Sequence, residues 1–263
     1  MRRGNVFWGL ILIVLGVLFY LRTIGLIKDV FEWFWPVALI LLGIWVLVGR
    51  FAPSLAGSGE TFSVDLQGAA RLDLEVDQGA GALSISGGAP AGVAISGNKA
   101  AALDLNSQLT GESLGVKLEA GPTFLPFLGP DGGEWRFQLT QEVPVAIKLE
   151  AGASSLDLDL TDVKLTFLGV ETGASSLRLK LPVNAGKSLV NIEAGAASID
   201  MSVPEGVGAR IRIEQGASSL DIDQKRFPKV TDLDGLFQSA DYDSAVNRVE
   251  VNLEGGASTV KVH

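Results

Sequence analysis

Three stretches decide the fold: "LEAGASSLDLDL" (Leu149–Leu160), "VETGASSLRLKL" (Val170–Leu181) and "IEQGASSLDID" (Ile213–Asp223). They are versions of one phrase. With its glycine as origin, the phrase occurs seven times, at Gly79, Gly121, Gly152, Gly173, Gly195, Gly216 and Gly256. The intervals are 42, 31, 21, 22, 21 and 40 residues, so the underlying period is close to 21, with longer intervals toward both ends. A fixed period in this range is the mark of a repeat architecture.

Each position of the phrase obeys a rule. Three before the glycine the residue is apolar: Val76, Leu118, Leu149, Val170, Ile192, Ile213 and Leu253. Two before, it is acidic in every copy: Asp77, Glu119, Glu150, Glu171, Glu193, Glu214 and Glu254. One after, it is Ala, except for Pro122. Four after stand Leu83, Leu125, Leu156, Leu177, Ile199, Leu220 and Val260, and six after stand Ile85, Phe127, Leu158, Leu179, Met201, Ile222 and Val262. Alternation with period two on both sides of the glycine predicts two short strands joined by a small corner. "PVNAGKS" and "PEGVGA" supply turn-rich returns. Strand, corner, strand and return in about 21 residues predict a β-solenoid-like stack in which each copy covers the apolar face of the next. The fold class expected is therefore an all-β repeat domain behind a two-helix transmembrane hairpin.

That hairpin is read from the first 50 residues. Val6–Leu21 and Phe34–Gly49 are uncharged runs of 16 residues each, separated by the more polar "RTIGLIKDVFEW". Phe7, Trp8, Tyr20, Trp33 and Trp35 stand where aromatic side chains would meet the membrane interface and extend runs somewhat short of a span. A cleaved signal peptide fits less well, because no small-x-small cleavage motif follows the first run and a second run comes at once. The expected organisation is a membrane hairpin over residues 1–50, a linker over 51–60 and a repetitive β domain over 61–263, with insertions near 123–137 and 225–246. The bilayer is thus an expected partner, through residues 6–49.

Charge separates the same parts. Five basic residues against two acidic ones give the first 50 residues +3, so the total of −9 leaves −12 on the remainder. An acidic domain does not favour nucleic acid. The chain has no Cys, and its one His is His263, which excludes thiolate chemistry and argues against a Ser-His-Asp triad or a multi-histidine metal site. No phosphate-binding glycine motif is present: "GAGALSISGG" has neither the lysine nor a following helix. The expectation is a non-enzymatic protein without a cofactor or metal.

The residues that carry a resemblance are now in view. "GLILIVLGVLFYLRTIGLI" followed by "FWPVALILLGIWVLVGR" resembles the LiaI/LiaF-type transmembrane region. "FSVDLQGAARLDLEVDQGAGALSISGG" (Phe62–Gly88) resembles the toast-rack domain, and the later copies resemble toast-rack and adhesin-like β domains. The resemblance implies a membrane-anchored protein of the bacterial cell-envelope stress response, in a family of which some members restrain a sensor histidine kinase. It supplies no catalytic residue.

Three features remain as candidate sites. Stacked copies would set the acidic column about 4.8 Å apart, where like charges repel. The carboxylates would either accept hydrogen bonds from corner N–H groups and the Ser hydroxyls or form a ladder for a cation such as Ca²⁺, although the calcium-binding nonapeptide is absent. The outer charges Asp157, Asp159, Arg178, Lys180, Asp221 and Asp223 fit a solvated face. "TFLPFLGPDGGEWRF" (Thr123–Phe137) interrupts the repeat with Phe124, Phe127 and Trp135, either as an exposed loop for a partner or as a cover over one end of the core. Three functions follow: a regulator or sensor beside a membrane sensor kinase, a scaffold or adhesin-like protein whose stack self-associates, and a calcium-dependent surface module. Arg2, Arg3 and Arg50 against Arg22 and Lys28 lean toward a cytoplasmic β domain.

Overall fold

The computed structural model describes residues 60–99, 103–120, 134–215, 219–230, 233–256 and 258–263. The hairpin, Gly121, Phe124, Phe127 and Gly216 lie outside the described residues. The described chain is all β. Its strands are β1 (Glu60–Asp65), β2 (Arg71–Gly87), β3 (Val93–Lys99), β4 (Leu103–Thr110), β5 (Ser113–Ala120), β6 (Glu134–Leu139) and β7 (Val145–Asp159). They continue as β8 (Leu165–Lys180), β9 (Lys187–Ser202), β10 (Gly208–Gln215), β11 (Ser219–Ile222), β12 (Leu236–Gln238), β13 (Arg248–Gly255) and β14 (Thr259–Val262).

One difference from the sequence reading concerns the corner. In β2, β7, β8 and β9 a single strand runs through the glycine instead of ending there. The corner survives as a slip of the pleat. Gly152 and Ala153 are both exposed, as are Gly173 with Ala174 and Gly195 with Ala196. From three before the glycine to four after it is an odd step, so strict alternation would put the two apolar sets on opposite faces. Two consecutive outward residues restore the phase, and Leu149, Leu156 and Leu158 are all buried.

The parallel ladder is in register phrase by phrase. Val76 pairs with Leu149, Leu149 with Val170, and Val170 with Ile192. The apolar sets therefore form continuous buried rows, such as Leu158, Leu179, Met201 and Val262. Together these rows make one core.

The order of the rungs also departs from a stack in chain order. With a rung defined as the two arms of one phrase, the spatial sequence is β5/β6, β2, β7, β8, β9, β13/β14, β10/β11. Only the middle follows the chain. At each end the outermost two phrases are exchanged: Gly121's rung lies outside Gly79's, and Gly256's rung slots between those of Gly195 and Gly216. The long intervals in the sequence are the connections these exchanges need. At the Gly121 phrase, Leu83 and Ile85 pair with Trp135 and Phe137, so those two aromatics, rather than Leu125 and Phe127, fill the positions four and six after the glycine. The intervening insertion displaces them along the sequence.

Antiparallel strands border the stack. β4 lies along β5, β3 along β6 with β1 beyond it, and β12 along β10. β12 comes from the 225–246 insertion, whose described part is turns and one short strand, fixed by the buried Phe227, Leu236, Phe237 and Tyr242.

Candidate functional site

The acidic column lies on one outer row. In spatial order Glu119 pairs with Asp77, then come Glu150, Glu171, Glu193, Glu254 and Glu214. Beside them runs the glycine row. Asp77, Glu150, Glu171, Glu193, Glu214 and Glu254 line one open groove whose floor includes Gly79, Gly152, Gly173, Gly195 and Gly256.

The glycines are there because of close approach. A Cβ added to Gly152 would stand 2.3 Å from the Gly79 carbonyl oxygen, and one on Gly195 or Gly256 would stand 2.9 or 2.7 Å from the carbonyl oxygen of the preceding rung's glycine. Gly173 is less tight, at 3.1 Å from the Gly152 oxygen. Gly79 meets nothing within 4 Å among the described residues. Backbone thus excludes side chains at Gly152, Gly195 and Gly256, which leaves a shallow channel along the carboxylates.

The carboxylates do not hold the corner. Among the described residues, Glu119 alone of the seven has a charged partner: Lys117 Nζ lies 2.9 Å from Glu119 and 3.1 Å from Glu75. Hydrogen bonds to those two carboxylates, Glu119 first, raise the Lys117 pKa above the usual lysine value. The other six carboxylates have no hydrogen bond or ion pair among the described residues, so the expectation that corner N–H groups offset their repulsion is not met there. The corner amides take part in the ladder instead, as Gly256 N–H does in donating to Ala194 O at 3.1 Å. The cation alternative finds no geometry either: among the described residues no group of three or more His, Asp or Glu side chains is placed to hold a metal ion. On the inner side of the same bend, Gln78 Oε1, Ser154 Oγ and Thr172 Oγ1 are buried without a hydrogen-bond partner among the described residues. The Ser154 hydroxyl thus does not donate to the acidic column, and Gln78 and Thr172 are not singled out by the sequence, although their place beside the glycine marks them as corner residues.

The outer charges five and seven after the glycine are paired across rungs. Arg178 Nη1 lies 3.7 Å from Asp157 Oδ2, and Lys180 Nζ lies 2.8 Å from Asp159 Oδ2. The hydrogen bond from Lys180, joined by one from Thr161, holds the Asp159 carboxyl below the usual carboxylate value. Along the five-after row the sign alternates in space: Asp157, Arg178, Asp200, Lys261, Asp221. In chain order Asp200 and Asp221 would have been neighbours. The exchange of the last two rungs puts Lys261 between them. At the other end, the same kind of exchange puts Glu75 between Lys117 and Lys148.

Trp135 is 4% exposed in β6, with its ring 5.9 Å from that of Phe137. It therefore covers the core and is not available to a partner on an exposed loop.

Comparisons with known proteins agree with this architecture. A family model for a LiaI-LiaF-like transmembrane region matches residues 6–47. A model for the N-terminal domain of toast_rack, DUF2154, matches residues 55–202. No curated protein matches the sequence. Among solved structures, a candidate cell adhesion protein from Clostridium sporogenes ATCC 15579 superposes with a TM-score of 0.67 at 22% identity, over 78% of this chain and 99% of that one. That likeness concerns the fold. The transmembrane match makes this a membrane protein, and with the β domain it indicates a cell-envelope protein. With its match running over more than half of its length, from within the linker through β9, the chain belongs to the toast-rack family.

Proposed function

We propose that this protein is a non-enzymatic, membrane-anchored regulator or sensor of the bacterial cell-envelope stress response. Residues 6–49 would form a two-span hairpin, with a cytoplasmic, β-solenoid-like stack as an interaction surface. The observation that carries the reading is the union, in one chain, of a LiaI-LiaF-like membrane region with a toast-rack domain. An in-register parallel sheet with charged outer rows suits recognition of another protein more than it suits chemistry. The partner in this reading is a membrane sensor kinase. The cytoplasmic placement rests on three arginines against one arginine and one lysine.

A structural scaffold or adhesin-like role is the second reading, favoured by the fold likeness to the Clostridium sporogenes protein. Cross-linking in native membranes followed by affinity purification separates the two. Recovery of a sensor kinase supports the regulator, and recovery of the chain cross-linked only to itself supports the scaffold. Protease added to intact spheroplasts should spare the β domain, and digestion of it would place the domain outside.

A further inference from the structure

The terminal rung of the stack is half covered. β12 lies along β10 by pairing Arg210, Ile211 and Arg212 with Gln238, Phe237 and Leu236. The other arm, β11, has β14 as its single ladder partner among the described residues. At the opposite end both arms are covered, by β4 and β3. Burial marks the same gap. Leu83, Leu156, Leu177, Ile199 and Val260 are each at most 1% exposed, whereas Leu220, at the same place in its phrase, is 42% exposed. Ile222 is only partly buried, where Leu158, Leu179, Met201 and Val262 are fully so. β11 keeps the sequence of an internal rung without a neighbour on its outer side among the described residues.

The charge row says what would fit there. It runs Asp157, Arg178, Asp200, Lys261, Asp221, ending on an exposed carboxylate whose next neighbour in the alternation would be a cation. A second copy brought in through the same edge would set Asp221 near its own equivalent, on a part of the chain, residues 51–263, that already carries −12. An exposed strand edge with alternating pockets is the setting in which extended peptides add as a further strand.

We propose that the outer edge of β11 is a docking site for an extended segment of a partner protein that alternates apolar residues with Lys or Arg. The apolar residues cover Leu220 and Ile222, the backbone extends the ladder, and the basic residue meets Asp221. This deepens the reading of the β sheet as an interaction surface and rests on it.

The probe is a fluorescent peptide made of the T-V-K-V of Thr259–Val262 written twice, the strand that already pairs with β11 on its inner side. Its twin carries Asp in place of each Lys. Anisotropy titrations use the full chain in lipid nanodiscs. The Lys peptide should bind at least about three-fold more tightly than the Asp peptide, and Asp221→Lys should reverse the preference. N-methylation of alternate peptide amides along the pairing edge should abolish binding. Asp221→Asn, which is milder to the fold, should remove most of the preference. Equal binding of the two peptides, a preference unchanged in Asp221→Asn, or tolerance of N-methylation would overturn the site. So would a wild-type dimer in sedimentation that Asp221→Lys dissociates, since the occupant would then be a second copy. Capture of a sensor kinase by Asp221→Lys as readily as by wild type removes this edge and leaves the regulator standing. Charge-selective peptide binding without any kinase capture does the reverse.

Discussion

Glycine is usually a weak residue in a strand, disfavoured against alanine by roughly 0.5–1 kcal/mol. The glycine row overrides that rule where rungs come close. At Gly152 an added methyl group would stand 2.3 Å from a backbone oxygen of the adjoining rung, and backbone in a ladder cannot step aside. Gly152→Ala should therefore destabilise the domain by about 1–3 kcal/mol, the usual range for forced overpacking. Gly79→Ala, which meets nothing within 4 Å among the described residues, should be neutral or slightly stabilising. Urea midpoints of the two variants give the comparison, and equal losses would remove the close-approach explanation. The carboxylate beside the glycine behaves oppositely from an anchoring group. Glu193 has no hydrogen-bond or ion-pair partner among the described residues and has acidic neighbours on both adjoining strands. Glu193→Gln should raise stability by a few tenths of a kcal/mol at low salt, and the gain should vanish in high salt, where like-charge repulsion is screened. A marked loss on Glu193→Gln would mean that the carboxylate does hold something. The glycine column and the acidic column were both legible in the sequence as positions. Their reasons were not, because a collision with a neighbouring carbonyl and the absence of a corner hydrogen bond exist only once rungs are stacked.

Within one strand, alternation decides what each residue contributes. Leu179 in β8 is fully buried in its row, whereas Asp157 is exposed on the outer face of β7. Leu179→Ala should lower stability by about 2–5 kcal/mol. Asp157→Ala should lower it by less than about 1 kcal/mol, since its ion pair with Arg178 is at the surface. Thermal and urea unfolding both report the difference, and similar losses would deny the alternation. The β7–β8 pairing also has a pH dependence with a definite sign. The Lys180 ammonium and the Thr161 hydroxyl keep the Asp159 carboxyl ionised below its ordinary range. A depressed carboxylate pKa contributes stability that is present above the unfolded value near pH 4, and that is lost as pH falls through the folded value. Wild type should thus exceed Asp159→Asn by up to about 1 kcal/mol at neutral pH, and the gap should close on acidification. A gap that persists unchanged at pH 2 would assign the effect to something other than this ion pair. These strands were readable because "GASSLDLDL" and "GASSLRLKL" write the pattern openly. β6 was misread because its glycine and its aromatic arm are separated by an insertion; the W-x-F spacing of Trp135 and Phe137 was the available clue.

At the scale of the molecule, seven similar phrases raise a problem of order. Any rung could in principle lie against any other, since each offers the same apolar row and the same glycine. The charges distinguish them. Exchanging the outermost phrases at each end sets Glu75 between Lys117 and Lys148, and Lys261 between Asp200 and Asp221. Each such neighbouring pair is worth only about 0.2–1 kcal/mol, but like charges in the same places would cost a similar amount, so the preference is doubled. The exchange also makes β13/β14 an internal rung although it comes after β10/β11 in the chain. The sequence showed the uneven intervals of 42 and 40 residues without showing that they were crossings. The alternation of sign, visible only after the rungs are reordered, would have been the signal. The Cys-free chain permits a direct test of that order by paired cysteines in neighbouring strands, whose backbones lie about 4.8 Å apart, against about twice that for strands two places apart. Asp200→Cys with Lys261→Cys should form a disulfide readily under mild oxidation, while Asp200→Cys with Asp221→Cys should remain reduced. Rapid bridging of 200 to 221 with none between 200 and 261 would place the rungs in chain order and contradict the exchanged stack.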